Sequence, residues 1–177
     1  MIPLVRAHLR SGGVIAYATE SCYGLGCLPE NRQAVSKLLS IKGRPGQRGL
    51  ILIGGAMPHL TPYMKSVPEK SALSPFWPGP YTLLMRPSSR APSWIRGHHD
   101  RIALRLTAHR GASRLCRALG TALVSTSANR TGMKPAKSYR ECRSRFGNRV
   151  LVLPGRIGKR KTPSTIMDFE SGRILRP

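Results

Sequence analysis

Apolar and polar positions follow two different periods along this chain, and short breaks separate them. Val14–Ala18 is a continuous apolar run behind Ser11-Gly12-Gly13, short enough for a buried strand, with a helix before it. Residues 31–41, NRQAVSKLLSI, carry apolar side chains at Ala34, Val35, Leu38, Leu39 and Ile41, a one-sided helical spacing introduced by Pro29-Glu30-Asn31. Strands are predicted at 50–53, 81–86, 101–106, 122–125, 150–153, 164–168 and 173–176, and helices at 109–120 and 138–146. Gly43, Pro45, Gly46 and Gly49 make 42–49 a loop, and Gly24 and Gly26 a glycine-rich loop after the first strand. Six prolines between 58 and 80 divide that stretch into short pieces, and 87–100 reads as a loop. Helices alternating with strands predict an α/β domain with a mixed sheet.

Composition then narrows the class. The 177 residues suit one domain spanning 1–177, and 40% hydrophobic content is enough for a core. No apolar run approaches the length of a membrane span, and the five-residue run at 14–18 is too short for a secretory signal. Cys22, Cys27, Cys116 and Cys142 form no CxxC pair, which favours a reducing cytoplasm. The formal charge of +23 comes from 30 basic against 7 acidic residues. Such a field attracts polyanions, and the excess is greatest after residue 100. From Arg130 to Lys161, Glu141 is the one acid among 11 bases.

Four segments carry candidate chemistry. Lys42-Gly43-Arg44-Pro45, extended by Arg48, combines a point charge, guanidinium forks and a flexible backbone, a set suited to phosphate oxygens. It does not match GxxxxGK[ST], so a Walker-type site is disfavoured. STSANRTG at 125–132 reads as a dense polar turn after an apolar strand, where open α/β sheets place ligands; an Asx turn or helix cap fits it equally well. Thr19–Gly26 is a second junction of strand and loop, with hydroxyls at Thr19 and Ser21. Cys22 lacks a neighbouring histidine and reads as packing rather than as a nucleophile. Neither the scattered histidines nor the few carboxylates make a metal cage, and there is no GxSxG elbow.

Taken together, ATESCYGLG at 18–26, KGRP at 42–45, WPGPYTLLM at 77–85, STSAN at 125–129, PSTIMD at 163–168 and ILRP at 174–177 resemble the YrdC/TsaC family in order and spacing. The resemblance implies a YrdC-like α/β domain: a twisted, mostly buried mixed sheet flanked by helices, with an open basic cavity. It also implies the short single-domain form and the family's activity, threonylcarbamoyl-AMP synthesis from L-threonine, bicarbonate or CO₂, and ATP, with release of pyrophosphate. Magnesium is expected with ATP, and no tightly held protein metal site. The product would serve other proteins that transfer the threonylcarbamoyl group to adenosine next to the anticodon of ANN-decoding tRNAs; tRNA is a further candidate partner, and a membrane is not.

By the same resemblance Lys42 and Arg44 take the leading phosphate roles, joined at ATP by Arg48, Asn129, Lys137 and Arg176. Ser21, Arg105, Ser127 and Ser164 are assigned to threonine, Arg105 as the clamp for its carboxylate. Tyr23, Ser125 and Thr126 shape the pocket. Ser21 stands where the family more often has threonine, and Ala18 where proline is common. A noncatalytic binder of double-stranded RNA or tRNA on the same fold is the alternative reading, and a nucleotidyltransferase that does not serve tRNA is a third.

Overall fold

In the computed structural model, which describes residues 1–44 and 46–177, helix α1 (Ile2–Arg10) leads into strands β1 (Ile15–Ala18) and β2 (Tyr23–Gly26). Helix α2 (Arg32–Lys42) and β3 (Ile51–Gly54) follow, then α3 (Lys70–Leu73), β4 (Tyr81–Met85), α4 (Ser93–Arg96) and β5 (Ile102–Leu106). The chain continues through α5 (Arg110–Leu119), β6 (Leu123–Ser127), α6 (Tyr139–Phe146), β7 (Leu151–Val152), β8 (Thr165–Asp168) and β9 (Ile174–Arg176). The described strands form one mixed sheet in the order β7-β1-β2-β6-β3-β5-β4-β8-β9. The β1–β7, β3–β5 and β4–β8 pairs are parallel and the other neighbours antiparallel.

Helix ends follow their local chemistry. Asn31 caps α2 by accepting the Ala34 N–H at 2.9 Å, and Gly43 ends it with a left-handed φ of 60°. Ser138 caps α6 through the Glu141 N–H. Three sequence expectations change, the first being that Ser93–Arg96, inside the stretch read as a loop, form helix α4. Residues 125–127 are strand rather than turn, paired with β3 and β2. The glycines at 24 and 26 lie in strand β2 rather than in a loop, because β1 and β6 supply ladder partners on both sides. Pro45, part of the KGRP motif, lies outside the described residues.

Strand alternation sorts the core into two layers. Val14, Ala16 and Ala18 face one way with Leu25, Val124, Leu52 and Leu104, under α2 and α6. Ile15, Tyr17, Ile53 and Leu123 face the other way, where Val5 and Leu9 of α1 and Ala112, Leu115 and Cys116 of α5 cover them. This second face is only partly covered. Along β6 its positions run Leu123, Ser125, Ser127, apolar beneath α5 and polar where helix cover ends. The change of side chain marks the border between core and cavity.

At that border Gly26 has no room for a side chain: a Cβ there would meet the Val124 carbonyl oxygen at 2.4 Å and Tyr17 Cε1 at 2.8 Å. Gly26→Ala is expected to lower unfolding free energy by about 1–3 kcal/mol, the usual range for overpacking. Urea titration checks this, and wild-type stability in the variant would contradict the close packing of β1, β2 and β6.

Candidate active site

The uncovered half of the second sheet face floors a cavity of about 710 Å³. Gly24 of β2, Ile51 of β3, Ala103 and Arg105 of β5, and Ser125 of β6 line its floor. Registers explain the grouping: Ile51 stands opposite both Ala103 and Ser125, and Gly24 opposite Ser127. Gly24 keeps the floor low, since a Cβ there would lie 3.2 Å from Thr19 Cγ2 and 3.5 Å from Ser125 Oγ.

The walls are cationic, and main-chain oxygens hold two of the arginines. Arg44 Nη2 donates to the carbonyls of Arg48 at 3.0 Å and Gly49 at 2.7 Å. Arg176 donates from Nε and Nη2 to the Ser164 carbonyl at 3.1 and 2.7 Å. The Ser164 hydroxyl is itself fixed against Thr82 Oγ1 at 2.8 Å. Carbonyls orient a guanidinium without neutralising it. Arg105, buried in the floor, instead pairs with Glu20, and Arg101 at the rim meets Asp100, Asp168 and Glu170.

Crowding leaves a signature on these groups. Burial, and then the charges of Arg105 and Arg44, bring the Arg176 pKa below its ordinary value. Burial and then Arg48 do the same to Arg44. The buried Nε groups of Arg44, Arg96, Arg101 and Arg105 have no hydrogen-bond partner among the described residues. Buried unpaired donors are rare in folded proteins, and here all of them belong to arginines of the cavity wall.

Lys42 is not on the cavity wall. It is 3% exposed, and its ammonium donates to the Ser127 carbonyl at 2.6 Å, the Asn129 carbonyl at 2.9 Å and Asn129 Oδ1 at 3.3 Å. Three protons meet three oxygens, so in this arrangement Lys42 clamps the 127–129 segment and offers no free N–H to a phosphate. Burial, then Arg44, lowers its pKa to about 8. Asn129 Oδ1 also accepts from the Ser127 hydroxyl, and its Nδ2 donates to the carbonyls of Arg130 and Met133 at 2.9 and 2.8 Å.

Of the other residues singled out in the sequence, Ser21, Arg48, Thr126, Ser127 and Asn129 are on the wall, as are Lys137, Ser164 and Arg176. Tyr23 is not. It is fully buried on the opposite face, and its hydroxyl donates to the Gly155 carbonyl at 2.8 Å, so it shapes the cavity only through the strand that carries it. Cys22 lines the cavity, but burial raises its thiol pKa and keeps the weakly nucleophilic protonated form. Sequence reasoning missed Glu20, Arg101 and Lys161. The signal for Glu20 was present: an acid is scarce in this chain, and this one sits inside ATESCYGLG.

The acids near the cavity are already engaged. Asp168 accepts from the Ser171 N–H and hydroxyl, each at 2.9 Å, and Glu20 from Arg105 and Thr107. Among the described residues no group of three or more His, Cys, Asp or Glu could hold a metal ion, and no helix is long and apolar enough to cross a membrane.

Residues 7–177 match the Sua5/YciO/YrdC family model, described as "telomere recombination". A Chromobacterium violaceum protein named threonylcarbamoyl-AMP synthase is 54% identical over 173 residues, 97% of this chain and 90% of its own. A Thiobacillus denitrificans protein of the same name is 48% identical, covering 98% of this chain and 94% of its own. Sua5 of P. abyssi, crystallised in complex with L-threonine, superposes with a TM-score of 0.86 at 29% identity over 94% of this chain. The present chain spans 50% of that Sua5 chain.

The clamp at Lys42 generates a prediction. Its folded pKa of about 8 lies below the ordinary 10.5, so unfolding takes up a proton between those values and this residue's contribution to stability rises with pH there. The unfolding free energy of wild type minus that of Lys42→Met should therefore increase between pH 7.5 and 9.5 in urea titrations. A flat difference would contradict the desolvated ammonium.

Proposed function

The chain belongs to the Sua5/YciO/YrdC family, and from that footing we propose that it is a threonylcarbamoyl-AMP synthase, a nucleotidyltransferase acting on L-threonine, bicarbonate or CO₂, and ATP. One observation carries the reading at the level of chemistry. Segments far apart in sequence deliver Ser21, Arg44, Arg105, Ser127 and Arg176 to one cavity, where carbonyl oxygens hold Arg44 and Arg176 without neutralising them.

In this reading the triphosphate lies against Arg44, Arg48 and Arg176, with exposed Lys137 reaching from the rim. Arg105 takes the threonine carboxylate through its free donors, a geometry suited to the guanidinium fork. The hydroxyls of Ser21 and Ser127 orient the remaining polar atoms, and Ser125 and Thr126 bound the pocket. Asn129 meets the nucleotide from a segment that Lys42 holds still, and Ser164 contributes by fixing Arg176. Lys42 thus acts as a positioning residue in place of the direct phosphate contact expected from sequence.

The neutral threonine amine first captures CO₂ and releases a proton to solvent, giving an N-carboxylate. An oxygen of that N-carboxylate then attacks the α-phosphorus of ATP, the new O–P bond forms, and the bond to the bridging oxygen breaks as pyrophosphate leaves. No side chain needs to become covalently modified. The protein's contribution is alignment of the two anions and stabilisation of charge on the phosphoryl oxygens. Magnesium enters as part of the ATP substrate. The product is consumed by partner proteins that modify adenosine next to the anticodon of ANN-decoding tRNAs, in the cytoplasm.

Incubating the protein with ATP, magnesium, L-threonine and labelled bicarbonate should yield labelled threonylcarbamoyl-adenylate and pyrophosphate. Strong tRNA binding without that product would favour the noncatalytic reading instead. Arg44→Ala is expected to lower kcat/KM for ATP by about 10²-fold, the scale for losing a preorganised charge at a phosphoryl centre. Undiminished turnover in that variant would remove Arg44 from the phosphate site.

A further inference from the structure

Glu20 is an unusual residue in this setting: a carboxylate, only 16% exposed as a side chain, placed against Arg105 of the cavity floor in a chain with seven acids. Both of its oxygens are occupied. Arg105 Nη2 donates to Oε2, and the Thr107 hydroxyl donates to Oε1 at 2.6 Å. Thr107 is itself immobile. It is 2% exposed, its N–H donates to the Gly54 carbonyl at 3.1 Å, and its hydroxyl accepts the His109 N–H at 3.2 Å. The main chain beside the carboxylate is equally committed. The Thr19 and Glu20 carbonyls accept the N–H groups of Gly158 and Arg160 at 2.9 and 3.2 Å, which ties residues 158–160 to the same corner. A Cβ on Gly158 would come within 2.6 Å of the Glu20 carbonyl oxygen, so this approach is as close as glycine permits.

We propose that Glu20 is a positioning residue for substrate binding: it fixes the Arg105 guanidinium in the orientation that receives the amino-acid carboxylate, with Thr107 as the second anchor. This deepens the reading of Arg105 as the threonine clamp and rests on it. Two opposing effects decide the sign. Glu20 competes with an incoming carboxylate for the charge of Arg105, so removing it could strengthen threonine binding. Yet Arg105 is 8% exposed, and its Nε has no partner among the described residues. Deprived of Glu20, a buried guanidinium has lost its counter-charge and turns toward water to recover solvation. Orientation then outweighs competition, because misplacing a positioning group by about 1 Å can cost on the order of 10²-fold.

The test measures L-threonine affinity by calorimetry, together with KM values for threonine and ATP from labelled-bicarbonate incorporation, in wild type, Glu20→Gln and Thr107→Val. Glu20→Gln should weaken threonine binding and raise its KM about 10-fold, with the ATP KM held within about 2-fold. Thr107→Val should move the same quantities in the same direction by about 3-fold. A residue that merely holds the fold would shift both KM values together, and that result overturns the proposal. So does unchanged or tighter threonine binding in folded Glu20→Gln. If Glu20→Gln does not fold, Thr107→Val decides, and an unaltered threonine KM in it is equally fatal. Wild-type protein that binds threonine without forming product would sink the synthase reading, while the calorimetric shift still tests Glu20. Wild-type protein that binds no threonine overturns both.

Discussion

Holding several positive charges around one space, without neutralising them, is the constraint on which this structure turns. Guanidinium groups crowded together repel and resist burial, and carboxylates that paired with all of them would cancel the field a triphosphate needs. The protein places carbonyl oxygens behind Arg44 and Arg176. A carbonyl accepts an N–H and fixes its direction while carrying no net charge. Lys42 uses the same chemistry in reverse, its charge tying down two carbonyls of the 127–129 segment. Carboxylates appear at Arg105 in the floor and at the Arg101 rim.

The fold makes this possible by leaving one sheet face half covered. Helices α1 and α5 bury Ile15, Tyr17, Ile53 and Leu123, and the same face then continues into Ser125, Arg105 and Gly24 without a helix above them. Core packing and site therefore share strands, so the stiffness of the buried half is transmitted to the polar half through a common ladder. Gly26 sits at the seam and allows β2 to lie close to both neighbours.

Much of this was legible in the sequence. Periodicity located helices α2, α5 and α6 and most strands within a residue or two, and the separated motifs contain half of the wall residues. Harder were the places where tertiary partners overrule local signals. Ser125–Ser127 and Tyr23–Gly26 have the composition of turns, yet ladder bonds from both sides make them strands. Lys42 has the sequence context of a phosphate ligand, in KGRP, but helix α2 carries it beneath the wall instead of onto it. Glu20 went unremarked because its importance lies in Arg105 and Thr107, both 85 or more positions away. Short 3₁₀ turns at Met57–His59 and Thr61–Tyr63, in the proline-rich stretch, carry no periodic signal at all.

The central claim is that carbonyl-held cations stay in place and remain available to phosphate. A crystal structure of the protein with ATP bound addresses it directly. The account predicts the triphosphate within hydrogen-bonding reach of Arg44 and Arg176, with the bonds from Arg44 to the Gly49 carbonyl and from Arg176 to the Ser164 carbonyl retained. A triphosphate bound elsewhere, or bound only after those two bonds have broken, would contradict it.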